Sequence, residues 1–209
     1  MDAFSVIDRI AVKVAPGRPP TYTAAHVLKA LEVIGSGSGV GRQQLSRELG
    51  LGEGMARTLV RRLRGEGLVE VHRSGMVLLP SGVKLLSGFR ARMASTEAPE
   101  TGVTVGSRNY AVLVKGAAGC IRRGVEQRDA ALIAGAKGAT TLLYDGVRFH
   151  MPGMYGELDP HLTCFLIDRL KPEAGDIVII GTADDLPAAE MGAKTAALEL
   201  LREIAGSAA

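Results

Sequence analysis

The sequence predicts an α+β chain in two parts: helices closed by a β-hairpin, then a sheet-based half. Three observations lead there. Helical periodicities at Thr23–Gly35, Arg42–Leu49 and Met55–Arg64 run straight into two β-rich stretches, LVEVH and MVLLP, around Arg73-Ser74-Gly75. Beyond residue 102, β-rich and helical stretches follow in the order β-α-β-β-α-β-α. The charge is also divided unequally. Residues 1–95 carry 14 Lys+Arg against 7 Asp+Glu, and residues 96–209 carry 11 against 15. A basic first half joined to an acidic second half points to a polyanion meeting the first half alone.

Element by element, Ser5–Val14 places Val6, Ile7, Ile10 and Val14 at helical spacing, an accessory helix for the domain or for a second subunit. APGRPPTYT breaks the chain. Thr23 is a suitable N-cap for the first core helix, whose Ala24, Val27, Leu28, Leu31 and Ile34 share a face. GSGSGVG is a flexible connection. Arg42–Leu49 is a short helix with Leu45 and Leu49 inward, which Gly50 can end before the turn Gly52-Glu53-Gly54. Helix, tight turn, helix, hairpin is the order of a winged helix-turn-helix. Pro80 and Ser81 then open a helix with Leu85, Leu86 and Phe89 on one side. This makes residues 1–93 a winged-helix domain, with 1–20 as its accessory helix and loop, and polar ASTEAPETG, residues 94–102, a linker.

Residues 103–209 read as a two-layer α/β-sheet domain, with helices covering one face of the sheet. NYAVLVKG is a strand, and helical character runs from about Cys120 to Ala134. GATTLLYDG and VRFHMPG form a hairpin at Asp145-Gly146. LDPHLTCFLIDRL is a helix with Pro160 near its start, and DIVIIGTAD is a buried central strand. The last helix is long, with Asp184 or Asp185 to cap it, and the Gly-Ser-Ala-Ala tail is expected to be disordered.

The second helix of the pair carries the candidate chemistry. At about 100° per residue, Arg57, Arg61 and Arg64 fall within a sector of about 60°. Ala56, Leu59, Val60 and Leu63 gather on the other side. Guanidinium groups pair with phosphates and with guanine edges, so this face is the candidate DNA contact. Thr58 and Arg62 flank it, Arg42 starts the preceding helix, and His72 and Arg73 stand at the hairpin tip, all within reach of a duplex. In the second half, Arg128 and Asp129 precede a turn rich in small residues that leads to Thr140 and Thr141. GTADD places Thr182 and Asp184 at a strand end, a common ligand position. These six are the candidate effector site.

No phosphate loop, nucleophile elbow or zinc motif is present in the sequence, and its four histidines are scattered. The isolated Cys120 and Cys164 give no metal spacing and read as small buried hydrophobes in a reducing compartment. Neither a secretory leader nor an apolar run long enough for a bilayer occurs, so a cytoplasmic protein is expected, with no membrane contact. No cofactor, no metal and no enzymatic activity are expected.

HVLKALEVIG, LGEGMARTLVRRLRGEGLVEV, GVEQRDAALIAGAKGATTLLYDG and DIVIIGTADD followed by AEMGAKTAALELL together resemble an uncharacterised archaeal family of two-domain proteins. The resemblance covers Thr21 to Ile204. It implies an amino-terminal winged helix, a carboxy-terminal α+β domain similar in fold to the GAD insertion domain of bacterial aspartyl-tRNA synthetases, and a role in transcription regulation. It brings no active residues with it. The expectation is therefore a DNA-binding regulator of double-stranded DNA, a homodimer, whose second domain dimerises or senses an unknown small molecule. The alternatives are a winged-helix module for RNA or protein assembly and an enzyme related to small-molecule synthases.

Overall fold

The computed structural model describes residues 3–12, 22–37, 39–154 and 158–207. It divides into two compact units, Met1–Ala91 and Arg92–Ala209. Most of the APGRPPTYT break, Ser38 of the glycine-serine connection and the terminal Ala208–Ala209 lie outside the described residues.

The first unit runs α1 (Ala3–Ala11), α2 (Ala24–Ile34), α3 (Arg42–Glu48), α4 (Glu53–Gly65), β1 (Val69–His72), β2 (Gly75–Leu78) and α5 (Pro80–Arg90). Val27, Leu28, Ala30 and Leu31 make α2 the buried axis, each no more than 1% exposed. His26 supports its start by accepting the Thr23 amide at Nδ1. Gly50 ends α3 at φ 63, where a side chain would be strained, and the Leu51 amide returns to the Ser46 carbonyl. Gly67 ends α4 in the same left-handed conformation, at φ 67. β1 and β2 pair antiparallel from Val69↔Leu78 to His72↔Gly75, leaving Arg73-Ser74 as the turn. Gly75 lies so close to the Gly39 carbonyl that a Cβ there would sit 2.2 Å from its oxygen. Beside that contact Val40 bridges Met76, which ties the hairpin to the segment entering α3. α1 is part of this unit: Phe4 meets Phe89 of α5 edge to face at 5.5 Å.

The second unit runs β3 (Met93–Ala98), β4 (Arg108–Val114), a short 3-10 turn (Ala118–Cys120), α6 (Val125–Ile133), β5 (Gly138–Tyr144), β6 (Phe149–His150), α7 (Pro160–Leu170), β7 (Ile177–Ala183) and α8 (Leu186–Ser207). The α+β class is as expected. The sheet is antiparallel, in the order β3-β4-β7-β5-β6, with β7 buried at every residue in the centre.

Four expectations are corrected. Residues 94–98 of the expected linker belong to β3, which pairs with β4 from Met93↔Val114 to Ala98↔Asn109. The sheet carries helices on both faces, not one. Leu162, Leu166 and Leu170 of α7 pack on Ala111, Leu142, Val178 and Ile180. Gly181, on the opposite face, lies against Ala189 and Ala193 of α8. Cys120 and Cys164 are exposed, because one ends the 3-10 turn and the other is on the outer side of α7. Finally, α8 continues through Gly206 and Ser207, where composition leads to the expectation of a disordered tail.

Candidate nucleic-acid interface

α4 owes its orientation to its apolar face. Ala56, Leu59 and Leu63 are 0% exposed, and Val60 is 5% exposed. Arg57, Arg61 and Arg64, on the other side, are exposed and form no ion pair among the described residues. Their guanidinium groups are therefore not engaged in ion pairs among the described residues, which leaves them available to a phosphate backbone. Arg42 is exposed at the first position of α3. With Gly41, Gln43, Glu53 and Arg57 it lines a surface recess of about 360 Å³ between the starts of α3 and α4. Arg73 is exposed at the hairpin tip. His72 beside it is exposed too, with Nε2 3.2 Å from a Glu70 carboxylate oxygen on the same strand.

Two flanking residues are employed elsewhere. The Thr58 hydroxyl donates to the Gly54 carbonyl at 3.1 Å, back along its own helix. Arg62 is a clear correction to the DNA-contact set. Its Nη1 donates to the carbonyls of Ile10 at 2.7 Å and Val12 at 2.6 Å. These carbonyls are at the end of α1, where acceptors lack helical partners and the dipole favours a cation. The guanidinium also stands over the ring of buried Tyr22 at 5.8 Å. Burial raises the Tyr22 phenol above its usual pKa, against the pull of Arg62. A second link joins the same elements: Arg9 Nη2 is 2.8 Å from a Glu66 carboxylate oxygen just past α4. Hydrogen bonding from Arg9 lowers the Glu66 pKa.

The six candidate effector residues do not line one pocket. Thr140 and Thr182 point to the α7 face of the sheet, and both are spent on the loop before β4. Thr140 donates to the Val103 carbonyl at 2.7 Å, and Thr182 accepts the Gly106 amide at 2.8 Å. Thr141, next in the strand, points to the opposite face, against Gly124. Arg128 pairs with Asp129 at 3.3 Å, and Asp184 pairs with Lys137 at 2.5 Å. Arg128 does approach Thr182, but through carbon: both flank Gly138, where a Cβ would lie 4.0 Å from the Arg128 Cγ and 3.9 Å from the Thr182 methyl. Asp185, not Asp184, caps α8, accepting the Ala188 amide at 2.8 Å.

Sequence reasoning missed Gln43 and Glu53 of the recess. The signal was available, since Glu53 is one helical turn before Arg57 and Gln43 follows Arg42. No described helix is long and apolar enough to cross a membrane.

Residues 25–93 match the model of the CggR N-terminal DNA binding domain. Residues 105–200 match the model of a domain of unknown function, DUF4443. No curated protein matches the chain. Among solved structures, a hypothetical protein from Pyrococcus horikoshii OT3 is similar at 26% identity, with a TM-score of 0.73, over 87% of this chain and 94% of that one. The amino-terminal region is thus similar to a DNA-binding domain, and the second region is similar to a domain of unknown function.

Proposed function

We propose that the protein is a DNA-binding transcriptional regulator, not an enzyme, whose first unit works as a winged helix-turn-helix. One observation carries this reading: Arg57, Arg61 and Arg64 stand exposed and, among the described residues, without ion pairs on the face of α4 opposite a buried one. The similarity of residues 25–93 to a DNA-binding domain supports it. In this reading α4 enters the major groove of double-stranded DNA, where its arginines meet phosphates and the O6/N7 edge of guanine. Arg42 and the hairpin tip with His72 and Arg73 contact the adjacent backbone. The second unit serves dimerisation or the sensing of a small molecule. In a homodimer two copies of α4 would reach successive major grooves about 34 Å apart.

Competition in a gel shift tests the reading. Duplex DNA should displace labelled duplex from the full chain, and tRNA at equal phosphate concentration should displace it poorly. Preference for tRNA, or no retardation of duplex at low salt, would refute it.

A further inference from the structure

The opposite face of the sheet, away from the exhausted threonines, holds a set of polar groups without partners among the described residues. α6 begins at Gly124, whose φ 75, ψ 5 conformation brings no capping side chain. The amides of Val125, Glu126 and Gln127 therefore project from the helix start with no hydrogen bond among the described residues. Thr141 lies against Gly124, the residue that opens α6. It is 4% exposed and its hydroxyl has no partner among the described residues. A Cβ on Gly124 would sit 3.2 Å from that hydroxyl oxygen, so any side chain there would crowd the buried hydroxyl at the helix start. Gln127, 5% exposed, has an Oε1 without a partner among the described residues, an acceptor that calls for a donor and not for an anion. Arg122 and Arg123 precede the turn, both exposed and without ion pairs among the described residues.

Buried polar groups are nearly always satisfied, and an orphaned hydroxyl beside a bare helix start is short of an acceptor. Three amides, one hydroxyl and the positive end of a helix dipole supply donors to a negative oxygen group. Two guanidinium groups next to them supply charge. Glu126, exposed on the first turn, acts against an anion but points to solvent.

We propose that the start of α6 binds a small oxyanion, the phosphate or carboxylate group of a metabolite. Its oxygens accept from the amides of residues 125–127 and from the Thr141 hydroxyl, and Arg122 and Arg123 hold the charge. The site deepens the ligand-sensing part of the proposed function and stands on geometry separate from the α4 arginines.

The test is an amide NMR titration of the full chain without DNA, first with sodium phosphate and then with sodium acetate, each at constant ionic strength. At least one anion should give saturable shifts at Val125, Glu126 and Gln127. Saturation by phosphate alone assigns a phosphate group, and by acetate alone a carboxylate. Thr141→Val keeps the shape and removes the donor, so it should weaken binding about tenfold, and Thr141→Ser should retain it. If Thr141→Val does not fold, Arg123→Gln takes its place, with the same direction of effect. Absence of saturation with both anions, or saturation that the substitution leaves unchanged, overturns the site. Because DNA is absent, that failure leaves the DNA-binding reading untouched.

Discussion

Arg61 and Arg62 are neighbours with opposite roles. Arg61 faces solvent, and Arg62 closes the end of α1 through two carbonyls and covers Tyr22. Arg62→Ala should loosen α1 and destabilise the first unit by about 1–3 kcal/mol, since hydrogen bonds from a charged donor are lost at a half-buried site. Denaturation followed by a probe in that unit measures it, and an unchanged midpoint would count against the link. The difference was legible in the sequence: at about 100° per residue Arg62 stands about 140° from Arg57, well off the stripe. What the sequence did not contain is the α1 terminus as its partner. The adjacent Thr140 and Thr141 teach the same lesson for strands, because a period of two forbids them from sharing a pocket. Asp145 offers a pH test. The amide of Arg148, then the His150 side chain, then the amide of Val147 hold its carboxyl well below the usual range. A carboxyl with a lowered folded pKa stabilises above its unfolded value of about 3.9, and that stabilisation is lost as pH falls through the folded value. Asp145→Asn should therefore be less stable than the parent at neutral pH, with the gap closing as pH falls below about 4. Denaturation of the second unit at both pH values reads this, and a gap that widened in acid would contradict it.

At the level of elements, α4 is held by its apolar stripe. Leu63 is 0% exposed, so Leu63→Ala should cost about 2–5 kcal/mol by leaving a cavity. A thermal melt of the first unit that did not move would mean the stripe is not the buried face. Elements with strong periodicity were readable: α2, α4, the β1–β2 hairpin and the apolar β7 follow from spacing and turn residues alone. β3 was not. MASTEA is polar and small, and β3 is an edge strand with one neighbour, so little of it is buried. Its strand character comes from pairing with β4, which no local pattern reports. The same holds for α7. Its Leu162, Leu166 and Leu170 disclose a buried side but not which face of the sheet receives it.

Over the whole molecule, charge follows the division into units. Residues 1–91 carry 13 Lys+Arg against 7 Asp+Glu, and residues 92–209 carry 12 against 15. Long-range attraction to a polyanion is therefore built into one unit and opposed by the other. The candidate interface was largely readable because a helix face and a hairpin tip are local features. The six-residue effector set failed because convergence in a sheet depends on strand order and facing, which the sequence leaves open.

Salt dependence of duplex binding measures the contribution of the α4 arginines. The affinity of the full chain for its best duplex, measured across a salt series, should fall linearly on a log–log plot. Arg61→Ala should keep its melting behaviour, bind more weakly and show a salt slope reduced by about one phosphate contact. If Arg61 reads guanine instead, the loss should be about 1–3 kcal/mol with relaxed preference at one base pair. Affinity, salt slope and base preference all unchanged in Arg61→Ala would mean that this face of α4 does not meet DNA.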